Sequence, residues 1–326
     1  MDKTGERWAW IFKWALSVAL LALVLWYVPL REIGRELGHA KPGWVISGFG
    51  LLFVTRMTSA YRMRLITQRQ EMSLSTFEIF KIGLVTSFFG LFLPGYIAGG
   101  AIRWYMLSSK DKKGVEALAS IAFDRVNDTI VLMSLGYVCL LAASPPTVSP
   151  VVLWILAGSL VFLLAVYAMF LNAWTTRLTL RIAEVLGPYR RPRFHSLVTR
   201  LIDSMQRFHR FPGGVRVRLW GLSLIHHALG TLVYFLLAGA IDLGLSYTDC
   251  AWLRALLHLL FLLPLTVSGI GVRESALVVL LLPLGISSVQ AVAYSFLLMA
   301  GLLLMASIGG LLAPGIYKKP GKAASG

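Results

Sequence analysis

Apolar residues along the chain fall into long runs, separated by short polar segments that carry most of the charge. Several runs approach the roughly 20 residues that a helix needs to cross a hydrocarbon core about 30 Å thick. The predicted spanning helices cover six runs, 14–30, 43–61, 115–142, 151–171, 220–241 and 289–313. The hydrophobic pattern therefore predicts a helical chain that crosses a membrane several times.

Two further apolar regions, 74–107 and 251–285, are interrupted near the middle by proline and glycine. The interruptions contain Pro94 and Pro264. Proline removes a backbone N–H and kinks or ends a helix. Each region is therefore predicted to be either a pair of short spanning helices or a re-entrant hairpin of two half-helices.

Composition agrees with a membrane location. Hydrophobic residues make up 57% of the chain and charged residues 14%, and the mean hydropathy is +0.73. A soluble protein of this length needs more polar surface. We expect an all-α polytopic membrane protein with one transmembrane domain over residues 1–316, followed by a disordered cytoplasmic tail over 317–326.

The positive charge is placed so that it predicts topology. The formal net charge is +16, and half of it lies in the segment 172–218. Short basic loops stay in the cytoplasm, and 62–71 and 108–113 are also basic, whereas 142–150 carries no charge. This alternation predicts a plasma-membrane protein with both termini in the cytoplasm. No basic motif interleaved with aromatic residues points to nucleic acid.

The Arg-rich segment also contains a helical pattern. From Phe194 to Phe208, apolar residues recur at helical spacing with charged residues on the opposite face. This pattern predicts an amphipathic helix. The helix is suited either to the inner membrane surface or to packing against the cytoplasmic ends of the spans, and the sequence leaves both open.

The two interrupted regions share a motif. The stretches LFLPGYIAGGAIR (91–103) and FLLPLTVSGIGVR (261–273) each place a glycine five residues after the proline and an arginine nine residues after it. The predicted topology makes the first region enter from the cytoplasm and the second from outside, so we expect an inverted repeat. The residues predicted to break the helices are Pro94, Gly95, Gly99, Gly100, Pro264, Gly269 and Gly271.

Broken helices at matching positions of two halves mark the substrate site of many transporters. The reason is that freed backbone groups must face protein or a wet cavity. Charges within spans are also usually paired or functional. The candidate substrate-binding residues are therefore Arg62, Arg103, Asp124, Arg125, Asp128, Arg273 and Glu274. Arg56 lies close to Arg62 and is a further cation at the inner entrance.

Each of these assignments has a plainer alternative. Arg103 could extend to the cytoplasmic interface, and Arg273 with Glu274 could form a structural ion pair that closes the second hairpin. Asp124 and Asp128 are spaced i,i+4 and so share one helix face. Arg125 is positioned to pair with either of them or with Glu274.

Signals for catalysis and metal binding are missing from the sequence. His226 and His227 are adjacent, so we expect them to point to different faces rather than form a helical zinc pair. No nucleotide or hydrolase motif is present, and we expect no cofactor. Cys139 and Cys250 have no redox or metal spacing, and we expect no disulfide.

Three motifs resemble the lysylphosphatidylglycerol synthase transmembrane-region family. They are LFLPGYIAGGAIRWYML, IAFDRVNDTIVL and LPLTVSGIGVRESALVVLL. The family consists of flippase-like proteins related to the N-terminal flippase half of the multiple-peptide-resistance factor. Here SGIG stands where relatives commonly have GGxG, and Ile-Ala precedes the glycines where many have a polar residue.

The resemblance implies a lipid transporter without the soluble aminoacyl-transferase domain, and so not an enzyme. The expected substrate is an anionic phospholipid, an aminoacyl-lipid or a polyprenyl-phosphate-linked lipid. Two other functions stay open. One is a membrane-embedded lipid-modifying enzyme, and the other is a non-catalytic partner of a separately encoded glycosyl- or aminoacyl-transferase.

Overall fold

A computed structural model describes residues 28–92, 96–143, 149–171, 199–201, 210–262 and 269–317, with isolated positions at 18–26 and 203–208. Every regular element in this part of the chain is helical. The helices are α1 Leu30–Gly38, α2 Pro42–Arg69, α3 Thr76–Phe92, α4 Tyr96–Ser109, α5 Gly114–Ala143, α6 Pro150–Leu171, α7 Gly213–Ala240, α8 Tyr247–Leu262, α9 Val272–Leu281 and α10 Ser288–Tyr317. The predicted all-α class is confirmed for these residues.

Four of these helices are long and apolar enough to cross a membrane. They are α5, most of α6 (Pro150–Ala168), α7 and most of α10 (Ser288–Pro314), and they match four predicted spans. The predicted span 43–61 lies in α2, which has 28 residues but contains several arginines. That 43–61 spans the membrane therefore stays a prediction. The same holds for the run 14–30, most of which lies outside the described residues.

Each interrupted region contains two helices. The first consists of α3 and α4, which end and begin on either side of 93–95. The second contains α8 and α9, separated by residues 263–271. Pro94, Gly95 and Pro264 themselves lie outside the described residues. That the two pairs are re-entrant stays a prediction.

The start of α3 and the end of α4 lie next to each other. The Ser73 N–H donates to the Asp111 carboxylate at 2.7 Å, and Lys113 Nζ donates to the Gln70 carbonyl at 3.2 Å. Lys110 also pairs with Glu78 at 2.8 Å. The segment that precedes α3 therefore lies against the segment that follows α4, and the pair returns to the end from which it starts.

Helices α2 and α7 run antiparallel along each other. The Lys41 N–H donates to the Ala240 carbonyl at 2.8 Å at one end of the pair. At the other end, Arg62 donates to the Ser223 hydroxyl at 3.1 Å. Helix α3 packs against α10, and α8 packs against α5. These three pairings form the body of the molecule.

Glycines lie at close approaches in the α5–α8 and α3–α10 pairings. Gly136 of α5 faces Ala251 and Ala255 of α8. Gly309 of α10 faces the backbone of Leu84 in α3, and a Cβ at this glycine would overlap that backbone. Small residues let membrane helices approach closely. Both interfaces therefore depend on the absence of a side chain.

Helix α6 presents large apolar side chains on the outside of the bundle. Trp154 is 74% exposed and Phe162 is 67% exposed. A contiguous apolar surface of this kind is unusual on a soluble monomer. It is suited to contact with lipid, in agreement with the hydropathy of this helix.

The described part of the predicted amphipathic helix packs against the bundle. The Phe208 ring stacks on Phe123 of α5, with ring centroids 4.3 Å apart, and Gln70 donates to the Ser204 carbonyl at 2.8 Å. These contacts favour the second alternative, packing against the ends of the spans. Residues 172–198, which include Phe194, lie outside the described residues.

Candidate functional site

A cavity of about 440 Å³ lies between the helices of the bundle. Four arginines line it, each from a different helix. They are Arg56 of α2, Arg103 of α4, Arg125 of α5 and Arg273 of α9. No carboxylate belongs to the described lining of the cavity. The remaining wall is mainly apolar, so the arginines give the cavity a strongly positive character.

Glycines on α3 and α4 contribute to the volume of the cavity. Gly83, Gly90, Gly99 and Gly100 all belong to the lining. At Gly83, Gly90 and Gly100 the space that a Cβ would occupy is open. Larger residues at these positions would project into the cavity. These four glycines therefore form a part of the wall that a molecule can approach closely.

Arg273 is held by the turn that begins α9. Gly269 and Gly271 have φ angles of +74° and +82°, which glycine adopts readily. The Gly271 N–H donates to Glu274 at 2.7 Å and so caps the helix. Arg273 Nε donates to Ser295 at 2.8 Å, and Arg273 Nη2 donates to Glu274 at 3.2 Å.

Glu274 therefore has partners on three sides, since the Ser295 hydroxyl also donates to it at 2.6 Å. Its side chain is 2% exposed. This arrangement corresponds to the structural ion pair that the sequence allowed as an alternative. Glu274 fixes the position of Arg273 and does not line the cavity.

Arg62 is the centre of a buried ion network between α2 and α5. Its side chain is 1% exposed, and Nε donates to Asp124 at 2.8 Å. Nη1 contacts Asp128. Both carboxylates reach one guanidinium, in agreement with the shared helix face that their i,i+4 spacing predicts. Arg103 Nη2 lies 3.7 Å from the second Asp124 oxygen, which connects this network to the cavity.

The structure thus divides the candidate residues into two groups. Arg103, Arg125 and Arg273 line the cavity, whereas Arg62, Asp124, Asp128 and Glu274 form ion pairs behind it. Arg56 also lines the cavity, although the sequence pattern assigned it only a minor part. Among the described residues it has no ion-pair partner.

The adjacent His226 and His227 point to different faces of α7, as their positions in the sequence predict, and they contact different helices. Their ring centroids lie 4.9 Å apart, and their nitrogens lie with a carboxylate oxygen of Asp128 within 4.8 Å of one another. Adjacent helical residues differ by 100° around the axis. Because α2 and α5 flank α7 on these two sides, His226 contacts Thr55 and His227 contacts Asp128.

The side chains of Asp128, His226 and His227 could hold a metal ion. In the structure, His227 connects Arg254 to Asp128 through hydrogen bonds. Arg254 Nη1 lies 3.0 Å from His227 Nδ1. Because a guanidinium only donates, Nδ1 accepts and Nε2 carries the hydrogen. Nε2 then donates to Asp128 at 2.9 Å. Arg254 was not among the predicted site residues, although an arginine within an apolar run is a recognisable signal.

Fold and cavity together define a helical membrane protein with a positively charged, glycine-lined internal site. The family model described as Lysylphosphatidylglycerol synthase TM region matches residues 10–310, and the chain belongs to this family. The resemblance of the three motifs is thereby confirmed. No curated protein matches the chain significantly.

The turn before α9 gives a first prediction, for Gly269→Ala. Alanine at φ +74° is strained, and its Cβ would also lie 2.6 Å from the Phe261 ring. We expect a loss of about 1–3 kcal/mol of stability, measured by denaturant titration in mixed micelles. Gly285→Ala is the control, because Gly285 has φ +80° but open space around it. Equal losses in the two variants would mean that the Phe261 contact has no effect.

Proposed function

We propose that this protein moves an anionic lipid across the plasma membrane, with the phosphate of the headgroup passing through the arginine-lined cavity. The observation that carries the proposal is the convergence of Arg56, Arg103, Arg125 and Arg273 on one cavity without a carboxylate in its described lining. Guanidinium groups bind phosphate through paired hydrogen bonds. Lipid tails would stay in the bilayer while the headgroup passes.

An inverted repeat would give such a cavity access from both leaflets, and the helix lengths support one. Helices α2 and α7 both have 28 residues, and α5 and α10 both have 30. Helices α3 and α8 have 17 and 16. The first residues of the helices are also matched. Pro42 of α2 and Gly213 of α7 are 171 positions apart, and so are Thr76 of α3 and Tyr247 of α8.

The packing of the helices is consistent with the same repeat. If α2, α3 and α5 correspond to α7, α8 and α10, then exchanging the halves turns the α3–α10 pair into the α8–α5 pair. The same exchange maps the α2–α7 pair onto itself, and the two helices of this pair are antiparallel. A two-fold axis in the membrane plane has this effect. In this arrangement Arg103 and Arg273 serve the two halves of the translocation path.

Two hydroxyls that line the cavity, those of Thr86 and Ser87, give little support for an enzyme. Thr86 donates to the Ile82 carbonyl at 2.7 Å, and Ser87 donates to the Gly83 carbonyl at 3.0 Å. A nucleophilic hydroxyl instead donates to a general base. We therefore propose transport without chemical change of the lipid. We further propose that both termini of the protein lie in the cytoplasm.

Reconstitution into liposomes tests this function. Fluorescent phosphatidylglycerol in the inner leaflet should become accessible to an external quencher faster with the protein than in protein-free liposomes. Arg103→Gln and Arg273→Gln should each slow this at least about tenfold, since one charged hydrogen bond is worth about 1.5–3 kcal/mol.

Lys41→Gln is the matched control, because Lys41 is a half-exposed cation outside the cavity. It should transport like the wild type. Wild-type liposomes no faster than empty ones would reject the function. Wild-type rates in both arginine variants would reject the site.

A further inference from the structure

Arg103 and Arg273 occupy matching positions of the shared motif, but the protein holds them differently. Arg273 donates to Ser295 at 2.8 Å and to Glu274 at 3.2 Å. Arg103 Nη2 lies 3.7 Å from the second oxygen of Asp124. This distance allows an ion pair but is longer than a hydrogen bond. Arg273 is therefore fixed by hydrogen bonds, whereas Arg103 is attracted to its carboxylate and held more loosely.

Asp124 presents one oxygen to each of two arginines. Its Oδ1 accepts from Arg62 Nε at 2.8 Å, and its Oδ2 faces Arg103. The Arg62 side chain is fully buried behind the cavity, whereas the Arg103 side chain lines it. Asp124 thus has a hydrogen-bonded partner on the side away from the cavity. On the side of the cavity it has a partner that it holds only through charge.

A phosphate group that enters the cavity would offer Arg103 a better partner. Guanidinium groups bind phosphate through paired hydrogen bonds with donor–acceptor distances of about 2.7–2.9 Å. Such bonds would replace the contact of 3.7 Å with Asp124. Asp124 would keep its hydrogen bond from Arg62. Because no buried carboxylate loses its last cation in this exchange, the exchange avoids the large penalty of an unpaired buried charge.

We infer that Asp124 competes with the lipid phosphate for Arg103, so that the Arg103 guanidinium passes from the carboxylate to the phosphate when lipid binds and returns to the carboxylate when lipid leaves. This inference rests on the proposed function and describes how the same site is regulated. Arg273 stays with Glu274 and Ser295 throughout. A transport site must bind strongly enough to admit its ligand and weakly enough to release it, and Asp124 limits the strength of binding.

Asp124→Asn tests the exchange. The amide oxygen of asparagine can still accept from Arg62, whereas its NH₂ group only donates and cannot pair with Arg103. Phosphatidylglycerol with a fluorescent acyl chain should therefore bind about three- to fivefold more tightly, the gain expected when a weak competing ion pair is removed. Binding is measured on the full-length protein in phosphatidylcholine nanodiscs. Damage to the fold would weaken binding, so a purely structural effect has the opposite sign.

Asp128→Asn is the matched control. Asp128 lies one turn further along α5 and also pairs with Arg62, but its other described ion-pair partner is His227 rather than Arg103. The variant removes the same charge from the same network, and its affinity should stay within about twofold of the wild type. In an Arg103→Gln background, Asp124→Asn should have no effect on affinity, because the contact through which it acts is gone.

A second variant tests the exchange if Asp124→Asn alone is not stably folded. Arg62→Met combined with Asp124→Asn and Asp128→Asn removes the whole ion network and leaves no carboxylate of the network unpaired. Arg103 loses its competing carboxylate in this variant as well. It should therefore also bind the fluorescent phosphatidylglycerol more tightly than the wild type.

Three results would overturn the inference. One is an affinity at or below the wild-type value in the folded variant that lacks the Asp124 carboxylate. Another is an equal gain in Asp128→Asn, which would mean that only the general charge of the region matters. The third is displacement of the fluorescent lipid by inorganic phosphate at the same concentration as by unlabelled phosphatidylglycerol, since the ligand would then be a free phosphate compound rather than a lipid.

Binding and transport fail separately in this design. If wild-type liposomes translocate phosphatidylglycerol but Asp124→Asn binds it no more tightly, the exchange is wrong and the proposed function stands. If Asp124→Asn binds more tightly but wild-type liposomes translocate no lipid, the cavity is a phosphate site with a competing carboxylate and the translocation function is wrong.

Discussion

Arg62→Ala is expected to destabilise the protein by about 3–5 kcal/mol, the range measured when one partner of a buried ion pair is removed. The substitution leaves Asp124 and Asp128 without the guanidinium that both contact. It also removes a donor from Ser223, which is fully buried. Denaturant titration of the purified protein in mixed micelles measures the loss.

Two controls separate this effect from the general loss of a charged residue. Asp242→Asn breaks an exposed ion pair, in which the Asp242 side chain is 72% exposed and the Lys41 side chain 51%. It should change stability by less than about 1 kcal/mol. Arg62→Met combined with Asp124→Asn and Asp128→Asn removes all three charges. It should be clearly more stable than Arg62→Ala, because no carboxylate is left unpaired. A loss below about 1 kcal/mol in Arg62→Ala would contradict this account.

Gly309→Ala is the second variant with a large expected effect. The added methyl group would overlap the Leu84 backbone, so α3 and α10 would have to move apart. Overpacking costs about 1–3 kcal/mol and sometimes more, and here backbone rather than a flexible side chain must shift. We expect a loss at or above the upper end of that range, together with slower lipid transport, because α3 and α10 both line the cavity.

Gly158→Ala is the matched control, since Gly158 lies in α6 and the methyl group added there would meet no atom within 4 Å outside its own helix. Alanine favours a helix over glycine by about 1 kcal/mol, so this variant should be neutral or slightly more stable. Equal stability of the two variants would show that the α3–α10 contact tolerates a side chain.

The helices of the fold were largely predictable because apolar length alone defines a membrane span. The predicted run 115–142 corresponds to α5, Gly114–Ala143, within one residue at each end. The end of α3 at Phe92 and the start of α4 at Tyr96 were also predictable, because Pro94 interrupts the apolar run. The motif shared by the two interrupted regions led to Arg103 and Arg273, and both line one cavity.

The sequence did not show in the same way which charged residues line the cavity and which form ion pairs behind it. Arg56 and Arg62 are six positions apart, which places them about 120° apart around α2. A helix that is apolar on most sides does not show which face meets a cavity and which meets α5. The sequence therefore favoured Arg62 as a ligand, whereas Arg62 holds two aspartates and Arg56 lines the cavity.

The pairing of helices has a consequence for the order in which the chain folds during synthesis. Leu84 and Gly309 lie in contact although 225 residues separate them in the chain. When α3 leaves the ribosome, its partner α10 has not yet been made, and α5 likewise precedes α8. Contacts between distant segments form late. The ion pairs of Arg62 with Asp124 and Asp128 join α2 to α5, so they can form before the cavity exists.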